Sequence, residues 1–378
     1  MIKTEINNNA VIISASDRLT SDNYLELEKA FLEINDENHD VILDLSDLQY
    51  ISSAGLRALL AEEKRLKVKG KHLLVRGCNA AIMDIFSISG FDQILNIEKA
   101  NTLFDVNGLE VIGTGLCSKV YKVSDDTILK CYEKYYDISM VENEKKNSRE
   151  ALILGVPTAI SLDMVKTNDG RTGILFELLH AKSLKNIFLE RYPDLEDIVI
   201  KYVELIKTVH TARGNPNVLT YAYDRQLEEI KKCPYINEEE RKKAYDFVSS
   251  LDRGMTCIHG DFHGGNVMDS DGELLFIDMG DFAIGHPYQD VAQVYNMLKK
   301  ETSPGFAKMM TGLDESQRLH IYNLFMKHYF NNPDKVTLGE LEIEIEKYMF
   351  ARQFFFINNF EGTREDNLRY VREYLENI

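Results

Sequence analysis

Cysteine is scarce and scattered in this chain of 378 residues. The five (Cys78, Cys117, Cys131, Cys233 and Cys257) are odd in number and include no C-x-x-C pair, which argues against a disulfide framework and a structural zinc site. Only seven prolines occur and no Pro/Gly/Ser-rich stretch divides the chain, so connections between domains are short or ordered. No apolar run approaches the roughly 20 residues of a membrane span. The opening MIKTEINNNA is too polar for a signal peptide. Positive charge is short as well: 44 Lys and Arg stand against 61 Asp and Glu, a formal net charge of −17. Such a surface repels phosphate backbones and anionic lipid, so the expectation is a cytoplasmic protein with no nucleic-acid and no membrane partner. Cationic ligands, or anions delivered with Mg²⁺, remain open. With 44% hydrophobic and 28% charged residues the composition is globular, and the length suits two or three domains.

Residues 1–100 alternate strand-like and helix-like segments. AVIISA (10–15) is a short apolar run, and DNYLELEKAFLEI (22–34) puts Leu25, Leu27, Ala30, Phe31 and Ile34 on a helical stripe. VILDLSDL (41–48) reads as a buried strand. From Ser52 a helix follows, with serine at its cap, Leu56, Leu59 and Leu60 at helical spacing and Gly70 at its stop. HLLVRG (72–77) is another strand and AAIMDIFSISG (80–90) another helix. This alternation predicts a small α/β sandwich.

The stretch DLSDLQYISSAGLRALL, with the order of elements around it, resembles the STAS domain of bacterial anti-sigma-factor antagonists, over essentially all of residues 1–100. The resemblance implies a protein partner for this domain and makes Ser53 a candidate phosphorylation site. A phosphate there would sit on the positive end of the helix. Ser52 stands where phosphorylated members carry an aspartate, and both serines also suit simple capping.

Beyond residue 105 four signals occur in order. In VIGTGLCSKVYKV (111–123), Gly113, Gly115 and Ser118 interrupt two β-forming runs, a pattern that fits a lid over nucleotide phosphates and equally an ordinary hairpin turn. Lys130 lies in the apolar strand TILKCY, and VENEKKNSREALILGVP (141–157) reads as a helix offering Glu144, or less well Glu142, as its ion-pair partner. TGILFELLHAKSL (172–184) is a buried strand running into a polar turn, in place for a hinge whose backbone at Glu177 and Leu179 would meet adenine. The fourth is CIHGDFHGGNVMDSDGELLFIDMGDFAIGHPYQDVA (257–292). Asp261 and Asn266 are five apart on a glycine-loosened loop, and the strand LLFID delivers Asp278. Phosphoryl transfer needs a carboxylate for the attacking hydroxyl and oxygen ligands for Mg²⁺; Asp261 suits the first, Asn266 and Asp278 the second.

His259-Gly260-Asp261-x4-Asn266 followed by Ile277-Asp278 resembles the aminoglycoside phosphotransferase/choline kinase superfamily, as does IKTVHTAR (206–213), with Val209 in the place of a leucine. The resemblance implies an α+β two-lobed protein-kinase-like fold over 105–378, its N-lobe at about 105–178 and its C-lobe at 179–378. It also implies ATP and Mg²⁺ as cofactors, Asp261 as catalytic base, Asn266 and Asp278 as metal ligands, and Lys130 as a phosphate-binding lysine paired to Glu144. His259 and Asp290 then support the catalytic loop. The aromatic KYMFARQFFFINNF (347–360) reads as C-lobe core. The alternating Glu340, Glu342, Glu344 and Glu346 suit either a solvated face or a cationic substrate, and either helix or strand. Three readings result: a small-molecule hydroxyl kinase, a signalling kinase acting on a STAS serine, and a nucleotide-binding scaffold without catalysis.

Overall fold

The computed structural model describes residues 2–6, 10–34, 40–98, 103–115 and 117–378. The chain divides into two compact units, Met1–Thr102 and Leu103–Ile378.

The first unit is a five-stranded mixed sheet with three helices. In chain order these are β1 (Ile2–Ile6), β2 (Ala10–Leu19), α1 (Tyr24–Leu32), β3 (Asp40–Ile51), α2 (Ser53–Val68), β4 (Leu73–Arg76), α3 (Ala80–Ser89) and β5 (Asn96–Ile97). The strands run in sequence order across the sheet; β1 pairs antiparallel to β2 and the rest are parallel. Alternate residues of β2 and β3 (Ile13, Ala15, Leu43, Leu45) are fully buried while Ile12, Ser14, Ile42 and Asp44 are half-exposed, so the helices cover one face. In α1 the buried stripe is Leu27, Ala30 and Phe31. Leu25 is exposed, because two residues along a helix turn the side chain by about 200°. Ser52 caps α2 through the Gly55 amide at 3.4 Å, and Asn79 caps α3 through Ile82 at 3.0 Å.

The second unit begins with an antiparallel sheet ordered β6-β7-β8-β10-β9, from β6 (Glu110–Thr114), β7 (Ser118–Lys122), β8 (Thr127–Tyr132), β9 (Ser161–Lys166) and β10 (Thr172–Glu177). Helix α4 (Ile138–Ile153) packs on it, started by Asp137, whose carboxylate accepts from the Ser139 amide. After the short β11 (Lys182–Ser183) the chain becomes helical: α5 (Leu184–Arg191), α6 (Glu196–Thr211), α7 (Ala222–Lys232) and α8 (Glu238–Ser249). Then come β12 (Thr256–Ile258), β13 (Val267–Ser270), β14 (Glu273–Phe276) and β15 (Ala283–Gly285). The remainder is α9 (Tyr288–Tyr295), a π-helical turn at Asn296–Lys300, α10 (Phe306–Thr311), α11 (Glu315–Tyr329), α12 (Lys335–Asn359) and α13 (Arg364–Glu376). This is a two-lobed kinase-like architecture. Among the described residues no helix is long and apolar enough to cross a membrane.

One ambiguity of the sequence closes here. The alternating glutamates lie in helix α12. Glu342 meets Lys299 at 2.6 Å and Glu346 meets Lys300 at 2.8 Å, so both brace the C-lobe. The Asp271-Gly272 turn between β13 and β14 has positive φ at both residues, 53° and 89°, as a two-residue hairpin requires.

Leu43 lies fully buried in the middle of the first sheet, whereas Val68 is 89% exposed. Leu43→Ala is expected to destabilise the first unit by about 2–5 kcal/mol. Val68→Ala should stay within about 0.5 kcal/mol. Urea midpoints measure both, and equal shifts would contradict this burial pattern.

Candidate active site

The loop after β12 is shaped from below by one carboxylate. Asp290, on α9 and 1% exposed, accepts from the amides of His259 and Gly260, each at 2.8 Å. His210 at the end of α6 adds its Nε2 at 3.1 Å, and its Nδ1 lies 2.7 Å from the Tyr329 hydroxyl. Burial pushes the Asp290 carboxyl up, but His210, His259 and the Gly260 amide outweigh it and leave it below its ordinary value. Gly260 turns with φ +84°, and a Cβ there would meet the Asp281 carbonyl at 2.4 Å, so this position accepts glycine alone. His259 is fully buried: its Nδ1 accepts from the Asp261 amide at 3.3 Å and its Nε2 donates to the Ile277 carbonyl at 3.3 Å. Phe262, also buried, stacks on Tyr202 of α6 at 4.4 Å and pins the next stretch of loop.

Asp261 thereby projects beside Asn266. The Asn266 Nδ2 donates to the Asp261 carbonyl at 2.9 Å and to its Oδ2 at 3.1 Å. Burial pushes the Asp261 carboxyl up, but His263, Arg352 and His259 overcome it and hold it well below the usual range, so the group stays ionised. With its nitrogen turned to Asp261, Asn266 keeps its amide oxygen available. Its carbonyl also accepts from the Ile277 amide at 3.0 Å, which ties the loop to the segment carrying Asp278. Asp278 sits in the left-handed region with φ 61°, an uncommon conformation for a residue other than glycine, and its carboxylate is half-exposed. An amide oxygen beside a carboxylate is a hard-oxygen donor set, and these two residues fit Mg²⁺ completed by phosphate and water.

Lys130 Nζ lies 2.7 Å from Glu144 and 3.0 Å from Asp278. Burial pushes the ammonium down, but the Asp278 and Glu144 carboxylates overcome this and hold it above its ordinary value. Glu144 is buried and also accepts from the Tyr132 hydroxyl at 2.5 Å; Glu142 faces solvent. Helix α4 is joined to the turn after Asp278, because Asn143 and Asn147 both donate to the Gly280 carbonyl, at 3.2 and 3.0 Å.

Gly113 and Gly115 border the turn between β6 and β7, where the Gly115 amide donates to the Ser118 carbonyl at 2.8 Å. Ser118 opens β7 and is buried. Glu177 ends β10 with its amide on the Ile160 carbonyl and its carboxylate on the Ile160 amide. Leu179 is half-buried against the cluster of Tyr132, Val141, Ala159, Ile174 and Phe176, and its amide makes no backbone hydrogen bond among the described residues.

A model of the phosphotransferase enzyme family, APH, matches residues 109–318, more than half of the chain. The chain belongs to this phosphotransferase family. A second model, described as Mlab, STAS domain, matches residues 2–97. Over 73 residues the chain is 37% identical to BtrV of Bordetella bronchiseptica, named as a candidate anti-sigma factor antagonist; the alignment spans 19% of this chain and 62% of that protein. Among solved structures it resembles the aminoglycoside phosphotransferase APH(4)-Ia, with 14% identity, a TM-score of 0.51, and coverage of 79% of this chain and 99% of that one. It also resembles choline kinase LicA from Streptococcus pneumoniae, with 14% identity, a TM-score of 0.48, and coverage of 78% and 99%. At 14% identity the likeness to APH(4)-Ia speaks for the fold alone.

Sequence reasoning missed several groups in this phosphotransferase site. Gln293 of α9 donates to Asp261 Oδ1 at 3.1 Å, and Arg352 of α12 meets the same oxygen at 2.9 Å. Arg352 was visible as a lone cation inside the apolar run YMFARQFFF, an expensive placement without a partner. Nothing local marks Gln293 or Tyr132. Beside the loop, α7 and α12 enclose a cavity of about 870 Å³ whose wall includes Gly260, Asp281, Arg225 and Arg352.

Asp290→Asn removes a buried charge that three donors surround, and a loss of about 3–5 kcal/mol is expected. The depressed carboxyl stabilises the fold above its unfolded pKa, near ~4. That contribution fades as pH falls through the lower folded value. The gap between wild type and Asp290→Asn should therefore narrow in urea titrations from pH 7 to pH 3. A gap constant with pH would contradict the assignment.

Proposed function

We propose that the chain is an ATP- and Mg²⁺-dependent phosphotransferase that moves the γ-phosphoryl group to a hydroxyl of a small molecule, with the STAS unit as a regulatory or protein-binding module. The observation that carries this reading is one connected set of groups. Asp261 is held ionised, Asn266 and Asp278 are joined through Ile277, and Lys130 is held charged between Glu144 and Asp278.

Asp261 takes the proton of the acceptor hydroxyl. The freed oxygen bonds to the γ-phosphorus as the bond to the bridging oxygen breaks, and ADP leaves with that electron pair. Lys130 meets the nucleotide phosphates, and Gly113, Gly115 and Ser118 form the turn above them. The Leu179 amide and the Glu177 carbonyl hold the adenine edge. Asn266 and Asp278 would hold Mg²⁺, which when bound neutralises charge on the phosphate oxygens. The cavity between α7 and α12 receives the acceptor. Its carboxylates already face cations: Asp281 meets Arg225 at 2.9 Å, Glu229 meets Lys232 at 2.7 Å, Glu228 meets Lys231 and Asp224 meets Arg253. That balance favours a neutral or anionic hydroxyl compound over a polycation. All five cysteines are free, which suits a cytoplasmic setting.

One observation favours a second reading, transfer to Ser53. Ser52 provides the cap of α2, while Ser53 is exposed and its hydroxyl has no partner among the described residues. A phosphate there would meet the free amides of the helix start.

Both readings are tested by incubating the full chain with Mg-ATP and a panel of polyols, sugars, sugar phosphates and aminoglycosides. Mass spectrometry then follows small products and Ser53. A phosphorylated small molecule, reduced at least about hundredfold in Asp261→Asn, is the expected outcome. Label on Ser53 alone selects the second reading. Undiminished turnover in Asp261→Asn would sink both.

A further inference from the structure

Asp261 has three hydrogen-bond donors, and they are distributed unequally between its two oxygens. Oδ1 receives Arg352 Nη2 at 2.9 Å and Gln293 Nε2 at 3.1 Å. Oδ2 receives Asn266 Nδ2 at 3.1 Å, with His263 Nε2 at 3.5 Å, beyond a normal hydrogen bond. A carboxylate oxygen offers two lone pairs. Those of Oδ1 are both filled; Oδ2 keeps one.

Arg352 is the charged one of the two donors on Oδ1. It comes from α12, beyond residue 318, where the family match ends. Its second amino group donates to the Gly260 carbonyl, so both of its contacts fall on adjacent residues of the loop. Its guanidinium carbon stands 5.7 Å over the Phe356 ring, which fixes the plane of the fork. Its Nε is buried with no partner, as is Gln293 Oε1. A group serving packing alone would be a poor choice at that desolvation cost.

We propose that Arg352 is a positioning residue: it clamps Oδ1 of Asp261 toward α12 and leaves Oδ2 as the oxygen that takes the hydroxyl proton. The proposal rests on the phosphotransferase reading of Asp261. Loss of the clamp frees the carboxylate to rotate about its terminal bond, and misplacement by about 1 Å costs up to about hundredfold in rate.

The probe is Mg-ATP hydrolysis by the full chain, with water as the acceptor, combined with a crystal structure of each variant. In Arg352→Ala, kcat is expected to fall roughly ten- to hundredfold while the KM for ATP stays within about twofold, and the Asp261 carboxylate should be turned from its wild-type plane. Arg352→Lys keeps the charge but reaches only one of the two loop oxygens, so it should recover part of kcat. A merely structural arginine would change melting temperature without that split between kcat and KM. Should Arg352→Ala fail to fold, Arg352→Lys carries the test through the same two readouts. Wild-type kcat in either variant, or an Asp261 carboxylate unmoved in both structures, overturns the proposal. If Asp261→Asn hydrolyses ATP like the wild type, the phosphotransferase reading falls, while the carboxylate's orientation in Arg352→Ala still decides what Arg352 does.

Discussion

The site depends on a carboxylate that is buried beneath the loop and faces its backbone amides. Asp290 accepts the amides of His259 and Gly260 and the ring of His210, and so fixes where the loop turns upward. A buried charge of this kind is tolerable only because three donors surround it, which makes the arrangement nearly all-or-none. Each link outward uses the next available group. His259 reaches the Ile277 carbonyl, Asn266 takes the Ile277 amide, and Asp278 is the next residue, just past β14. The loop and the segment of Asp278 are thus held in register through the backbone of Ile277, by one side chain and one carbonyl.

The opposite wall is built from charge. One ammonium, Lys130, stands between two carboxylates, so the cluster is one cation short of neutral. Under the proposed function a further cation would complete this cluster at the available oxygens of Asn266 and Asp278. Helix α4 contributes both Glu144 and the asparagines that grip Gly280, so movement of this helix would shift the ion pair and the Asp278 turn together.

Much of this was legible because it is local. Asp271-Gly272 announces a hairpin, Ser52 a cap, and the glycines between Asp261 and Asn266 a loop. Strand β1 was missed because its residues are largely exposed along an edge and present no apolar run. Strands β2 and β3 outlast their apolar segments because register shifts near Ser16 and Arg18 let polar residues stay paired. What sequence could not reveal is pairing across long separations: Arg352 on Asp261, His210 on Asp290, Glu346 on Lys300. Those partners are chosen by how helices pack, and helix packing leaves no spacing rule between distant residues.

The division of labour within the second unit follows from the same geometry. Groups suited to handling phosphate lie between Gly113 and Asp290, inside the stretch that defines the family. The cavity beside them takes part of its wall from Ala351, Arg352, Phe355 and Asn359, all on α12 and outside that stretch. Helix α12 therefore faces two tasks at once: it shapes the space next to the loop and it grips the carboxylate at the loop's tip. A change on this helix that altered the cavity would also disturb the orientation of Asp261. Under the proposed function, selection of an acceptor and alignment of the base would be coupled through this one helix rather than tuned separately.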